Sequence, residues 1–331
     1  MKTPQFTQLY REDHAAIRTE LIHGLTTNAS PNGAFTSPKY LYDALGSKLF
    51  EAITEVPEYY PTRTEARIFA QYGAAIASHI PRGAQLIDLG AGNCNKAASL
   101  FDWLAPSRYI AVDISVDFLR GAMACLQRQY PDLDMFGVGM DFSGSLDLPR
   151  EVLAEDAATV LFYPGSSIGN FTPDEALVFL RQARTACTAN GGILIGVDLV
   201  KGKAELEAAY DDALGVTAAF NRNLLLHINR LTGTDFNIRD WAHVALYNEQ
   251  LSRIEMHLEA KRDVAFHWEE GSHQGSRHFA KGERIHTENS YKWTVQGFSD
   301  LLMQAGFQKP TVWTDDAARF AVMSLTKALM M

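Results

Sequence analysis

The stretch 84-AQLIDLGAGNCNKAASL-100 decides the fold. Leu86 and Ile87 read as a buried strand, Asp88 ends the apolar run, and Gly90, Ala91 and Gly92 follow at once. Ala97, Ala98, Leu100 and Phe101 then recur at a spacing that predicts an amphipathic helix starting near Asn95 and Lys96. Two glycines at a strand end let backbone approach a ligand closely, and the helix beyond offers unpaired N–H groups. A dinucleotide fingerprint would place a third glycine where Asn95 stands, so a pyrophosphate ligand is disfavoured. Asp113 lies 23 residues after Gly90, at the tip of the next strand, where an acid accepts hydrogen bonds from ribose hydroxyls. Asp141 and Phe142 follow the third strand and suit an adenine amino group and ring. The ligand predicted from these residues is an adenosine derivative.

Outward from this turn the chain keeps a regular rhythm. "TRTEARIFAQYGAAIASHI" has Thr62 and Glu65 at capping-box spacing and Ile68, Phe69, Tyr72, Ile76 and Ile80 on one helical face. Strands are expected at "QLIDL", "RYIAVD", "LDMFGV", "TVLFY" and "GILIGVDL". Between them come helices "NKAASLFDWL", "SVDFLRGAMACLQRQY" and "TPDEALVFLRQARTACTAN", the last with a Thr172–Glu175 box and Pro173 at its first position. Alternating strands and helices imply a parallel sheet covered on both faces. After Lys201 the rhythm changes to one or two long helices and then to "SRIEMHLEAKRDVAFHW", which alternates like a hairpin strand. The α/β pattern returns at "TVQGFSDLLMQAGF", "PTVWTD" and "RFAVMSLTKA".

Composition narrows the function. The 331 residues are 47% hydrophobic and carry a formal charge of −9, which disfavours a nucleic-acid partner. No apolar segment reaches the roughly 18 residues of a membrane span, so no membrane partner is expected. Three cysteines, Cys94, Cys125 and Cys187, without Cys-x-x-Cys spacing or an apolar leader, point to a reduced, cytoplasmic protein. His257, His267, His273, His278 and His286 crowd together but show no zinc spacing, and no metal is expected.

Asp88, the glycine turn, Asp113 and Asp141 together resemble the S-adenosylmethionine site of class I methyltransferases. Four further stretches narrow the resemblance: "YLYDALGSKLFEAITEVPEYYPTRTEA", "YPGSSIGNFTP", "DLVKGKAELEAAYDDALGVTAAFNRNLL", and "RIEM" with "HTENSYKW". From about Leu21 to Lys327 the chain resembles the histidine Nα-methyltransferases of ergothioneine biosynthesis. That resemblance implies an α/β fold: a Rossmann-like class I methyltransferase sheet with helices on both faces, plus a second α+β substrate-binding lobe. Residues 62–200 and 294–331 are expected to bind S-adenosylmethionine, and 1–61 and 201–293 to form the substrate lobe. The implied reaction is trimethylation of free L-histidine on its α-amino group, giving hercynine and S-adenosylhomocysteine. A monomer is expected.

By position, the resemblance assigns Gly90, Gly92, Lys96, Asp113, Asp141 and Phe142 to the cofactor. It assigns Tyr59, Asn170 and Tyr210 to the amino-acid backbone, Met256 to the imidazole face, and Glu288 and Ser290 to the ring nitrogens. Tyr42 matches a tyrosine near the amine, and water relayed through Tyr42 or Tyr59 is the candidate route for the ammonium proton. An imidazole needs an acceptor for one N–H and a group able to give or take at the other nitrogen, which a carboxylate and a hydroxyl supply. Singly, these residues have plainer roles: tyrosines beside prolines pack, Asn170 closes a loop, Glu288 solvates a strand edge. Their joint occurrence in the family's local contexts decides for function. The chain departs from the pattern at Asn289, where a bacterial enzyme of the family that it resembles has an apolar residue between the glutamate and serine, and in the longer, more polar stretch from His267 to Lys281. Two other readings remain: the same fold acting on another amine, and a non-catalytic sensor of S-adenosylmethionine.

Overall fold

The computed structural model describes residues 1–9, 13–27, 33–114, 116–270 and 273–326. Its first elements are β1 (Gln5–Gln8), α1 (His14–Thr26), β2 (Ala34–Phe35), α2 (Ala44–Glu55), α3 (Tyr60–Ser78) and β3 (Gln85–Leu89). Next come α4 (Asn95–Ala98), α5 (Phe101–Leu104), β4 (Arg108–Asp113), α6 (Val116–Gln129), β5 (Asp134–Gly139), β6 (Thr159–Tyr163), α7 (Pro173–Ala186) and β7 (Gly192–Asp198). They are followed by α8 (Lys203–Tyr210), α9 (Val216–Thr232), β8 (Trp241–Asn248), β9 (Arg253–Ala260), β10 (Val264–Glu270) and β11 (His273–Phe279). The last are β12 (Arg284–Tyr291), α10 (Val295–Gln304), β13 (Thr311–Thr314) and β14 (Phe320–Thr326). Ser115 and Lys327–Ala328, at the ends of two expected elements, lie outside the described residues.

The chain divides into two compact units. The first comprises Met1–Tyr10, Pro61–Val200 and Tyr291–Met331. Its sheet runs β1-β5-β4-β3-β6-β7-β14-β13, with every neighbouring pair from β1 to β7 parallel and β14 and β13 antiparallel at one edge. The five strands read from the sequence are β3 to β7. They were legible because a strand covered on both faces is a nearly continuous apolar run, and every residue of β3, β6 and β7 is buried. One face packs on α7 and α10 through Phe179, Leu180, Phe298 and Leu302. The other packs on α3, α5 and α6 through Ile68, Ile76, Phe101 and Met123. Successive strands step from β3 to β4 and β5 on one side, then to β6 and β7 on the other. The order therefore reverses beside β3, and crevices at such switch points are where open α/β sheets bind ligands.

The second unit comprises Arg11–Tyr60 and Lys201–Ser290. A four-stranded sheet, β2-β12-β9-β8, and the β10–β11 hairpin share an apolar core with α1, α2, α8 and α9. The long helical stretch after Lys201 is two helices, because Asp212 takes the N–H groups of Val216 and Thr217 and starts α9 afresh.

Four expectations need correction. The N-terminal residues are not all in the second unit: β1 pairs with β5, and Phe6 lies on Gly137, where a Cβ would come within 2.4 Å of its ring. Tyr291 to Trp293 fall in the first unit, where Lys292 forms a fully buried ion pair with Asp198 at 2.9 Å. The helix after the glycine turn is two short pieces, α4 and α5, because the Ser99 hydroxyl bonds the Lys96 carbonyl and competes with helix continuation. Thr62 does not cap α3, which starts at Tyr60. The Thr172–Glu175 box forms as read, with both reciprocal bonds present. Among the described residues, no helix is long and apolar enough to cross a membrane.

Candidate active site

In the first unit the turn after β3 sits at the switch point. Gly90 and Gly92 have φ of +71° and +53°, values L side chains rarely adopt, which is why glycine stands at both. A Cβ on Gly90 would reach the Phe142 ring at 3.9 Å, so the cradle lies beside that ring. The Gly92 N–H donates to Asp113 Oδ2 at 2.9 Å, tying the turn to the tip of β4. Asp141 accepts from the Ser143 N–H at 3.0 Å, which orients its carboxylate. Phe142 is held edge-on by Tyr163 at 5.9 Å. A backbone cradle, an acid anchored to it and an adjacent ring fit an adenosyl ligand in shape and donor set.

Asp88 has a different role. Its carboxylate is fully buried beneath the turn, accepts the Tyr109 hydroxyl at 2.7 Å, and leaves Oδ1 without a hydrogen-bond partner. Burial pushes its pKa up to about 7, with Asp113 and Glu65 adding to the shift and the Tyr109 hydroxyl and Lys96 opposing it. The folded protein therefore holds a proton here that the unfolded chain gives up near pH 4, so this group's stabilisation is present at low pH and fades as pH rises to about 7. One proton sets a limiting slope of about 1.4 kcal/mol per pH unit. Asp88→Asn is expected to flatten the fall in melting temperature between pH 5 and 7.5; an unchanged fall would assign it to other groups.

Glu65, read from the sequence as half of a capping box, is a further candidate site residue. It is 1% exposed, accepts the Gly165 N–H at 2.8 Å and pairs with Lys96 Nζ at 2.8 Å. Gly165 leaves the room: a Cβ there would lie 2.8 Å from that Nζ. Glu65 thus joins α3, the turn after β6 and the assigned cofactor lysine, so its carboxylate is occupied by tertiary partners. Only its place on the buried stripe of α3, one turn before Ile68 and Phe69, hinted at this. Glu65→Gln is expected to weaken S-adenosylmethionine binding about tenfold, one charge-assisted hydrogen bond's worth, with histidine KM unchanged; unaltered cofactor affinity in calorimetry would refute the role.

In the second unit the structure brings most of the assigned acceptor residues together. Asp43 caps α2 through the Gly46 N–H and is gripped from α9 by Asn223 at 2.7 Å and by Arg230. Gly46 is forced by the Leu41 carbonyl, which a Cβ would strike. This anchoring fixes the neighbouring Tyr42, whose ring meets Phe50 and Phe220 edge-on at 5.6 and 5.5 Å. Phe50 meets Tyr59, and Tyr59 meets Tyr210, each at 6.2 Å. The Tyr210 hydroxyl donates to Ser290 Oγ at 2.7 Å, while His243 Nε2 bonds the Tyr210 carbonyl at 2.8 Å. Met256 is buried in the same apolar core, and its carbonyl accepts the hydroxyl of Thr287, the residue before Glu288. Glu288 and Ser290 are 8% and 3% exposed. A buried carboxylate and a buried hydroxyl two residues apart, next to an aromatic wall, can hold a flat ring with two polar edges. Asn170 is placed elsewhere, in the first unit, closing the short helical turn Ser167–Asn170 after β6. Among the described residues no group of His, Cys, Asp and Glu is arranged to hold a metal ion.

A family model described as histidine-specific, S-adenosylmethionine-dependent methyltransferase matches residues 17–327. The chain is 38% identical to the histidine N-alpha-methyltransferase of Mycolicibacterium smegmatis, over 93% of this chain and 94% of that protein. It is 36% identical to the protein of the same name in Mycobacterium tuberculosis, with the same coverage. It is 30% identical to ergothioneine biosynthesis protein 1 of Neurospora crassa, over 83% of this chain but 31% of that longer protein.

Proposed function

The chain belongs to the histidine-specific, S-adenosylmethionine-dependent methyltransferase family, and from that premise we propose that it methylates the α-amino nitrogen of free L-histidine. Three transfers give hercynine, the entry to ergothioneine biosynthesis. The observation that carries this reading is the Tyr210–Ser290 hydrogen bond at 2.7 Å, which joins two assigned acceptor residues from α8 and β12 beside Glu288.

When bound, S-adenosylmethionine supplies an electrophilic methyl on a sulfonium. Gly90, Gly92 and Lys96, the last steadied by Glu65, would hold it, with Asp113 accepting from the ribose hydroxyls and Asp141 and Phe142 meeting the adenine. On the acceptor side, Glu288 takes an imidazole N–H and Ser290 completes the second ring nitrogen, its hydroxyl oriented by Tyr210. Met256 packs on the ring, and Tyr59 and Tyr210 hold the amino-acid backbone. The amine must lose its ammonium proton before each transfer, and water beside Tyr42 or Tyr59 provides the route. The third methyl group makes the nitrogen a fixed cation, which the π faces of tyrosines such as Tyr42 and Tyr59 can accommodate. Rate enhancement comes mainly from aim, since fixing the reacting atoms in line lowers a barrier by roughly 7–11 kcal/mol.

Mass spectrometry of a reaction with S-adenosylmethionine and the twenty amino acids tests the proposal. Histidine carrying three added methyl groups is expected. Methylation of a different amino acid with histidine untouched would overturn the acceptor, and tight S-adenosylmethionine binding with no transfer at all would overturn the enzyme.

A further inference from the structure

The strand carrying the ring contacts breaks its own alternation. On β9, Ile254, Met256 and Leu258 enter the apolar core of the second unit, so Glu255, His257 and Glu259 face away from it. Arg284 Nε bonds Glu259 at 2.8 Å, and the His286 ring stands edge-on to His257 with centroids 5.1 Å apart. These two residues of β12 therefore also face away, while Ile285 between them is in the core. Unbroken alternation would send Glu288 and Ser290 away from the core as well. Instead Ser290 meets Tyr210, a core residue of α8, and Asn289 Oδ1 bonds His286 Nε2 at 2.9 Å although the two are three positions apart. One residue is out of phase between His286 and Asn289, as in a β-bulge, a device that re-aims side chains. Thr287 sits at the break, and its hydroxyl donates to the Met256 carbonyl at 3.0 Å.

We propose that the His286–Asn289 hydrogen bond locks this phase shift and is the positioning device that turns Glu288 and Ser290 together toward Tyr210. The inference rests on the functional reading above, in which those two side chains recognise the imidazole. The bond suits a neutral ring. Burial, helped by the facing His257, lowers the His286 pKa to about 4, with Asn289 and Glu255 pulling upward and Arg253 downward. At neutral pH Nε2–H then donates to an oxygen that only accepts. The chain carries asparagine between the glutamate and serine, where an apolar residue was expected, because this fold uses its oxygen.

Two substitutions remove the bond from opposite ends. Asn289→Leu keeps the volume, and His286→Phe keeps a ring edge against His257. Each is expected to raise the KM for histidine about tenfold, one hydrogen bond's worth, with kcat within about twofold and S-adenosylmethionine affinity unchanged. The double variant should be no worse than either single, since both delete one interaction. An unchanged KM in either variant, a loss confined to kcat, or a double variant whose KM is the product of the single effects would overturn the proposal. Histidine turnover by the unaltered protein, measured in the same series, tests the functional reading separately.

Discussion

Glu288→Ala is expected to raise the KM for histidine about a hundredfold while leaving S-adenosylmethionine affinity within about twofold, because a charged hydrogen bond is lost and the imidazole N–H is left buried without an acceptor, together near 3 kcal/mol. Glu288 is 8% exposed, so water cannot replace the missing carboxylate freely. The cost therefore falls on any substrate bringing an N–H to that position. The same variant should lose its preference for histidine over amino acids with apolar rings, since discrimination depends on a polar partner left unsatisfied by the wrong ligand. Steady-state kinetics with histidine and an aromatic amino acid, together with calorimetry of the cofactor, reads all three quantities. Equal loss of histidine and cofactor binding would mean that the carboxylate supports the fold instead of the ring.

Asp113→Ala is the complementary case, with the loss on the cofactor. The side chain does two jobs: it is assigned to the ribose, and its Oδ2 already accepts the Gly92 N–H at 2.9 Å. Alanine removes the ribose acceptor and also frees a turn whose glycines depend on that tie. An S-adenosylmethionine Kd at least a hundredfold weaker is expected, two hydrogen bonds to a charged group at about 1.5 kcal/mol or more each. Asp113→Asn separates the jobs. Its side-chain oxygen still accepts from Gly92, so the turn should hold and the loss should be about tenfold. If both variants bind the cofactor as tightly as the unaltered protein, Asp113 does not touch the ribose.

How much was legible follows from where each signal is written. The central strands were readable because burial on both faces leaves an apolar run, and the Thr172 cap because both of its partners lie within four residues. The glycine turn was readable because Gly90 and Gly92 need positive φ. Signals that depend on distant partners were not. Thr62 and Glu65 have capping spacing, but Glu65 finds Lys96 and the turn after β6, far along the chain. The strand β1 is four residues of "QFTQ", too short and polar to stand out, and its place is set by the notch at Gly137. On β9 the sequence alternates apolar and polar, yet Arg253, Glu255 and His257 are buried, because Glu255 pairs with Arg253 at 2.7 Å and with His257 Nε2 at 3.2 Å. The alternation in residue type is legible there; the burial of its polar half is not. The acceptor residues became visible through resemblance, since no local spacing links Tyr42, Tyr59, Tyr210 and Ser290. The phase shift in β12 was beyond any periodicity argument, for it is defined by His286 meeting Asn289.

The most direct measurement of the central claim is a crystal structure of the protein with S-adenosylhomocysteine and L-histidine. The account predicts the two imidazole nitrogens within hydrogen-bond distance of the Glu288 carboxylate and the Ser290 hydroxyl, the latter still bonded to Tyr210. A bound histidine whose ring nitrogens meet neither side chain would contradict it.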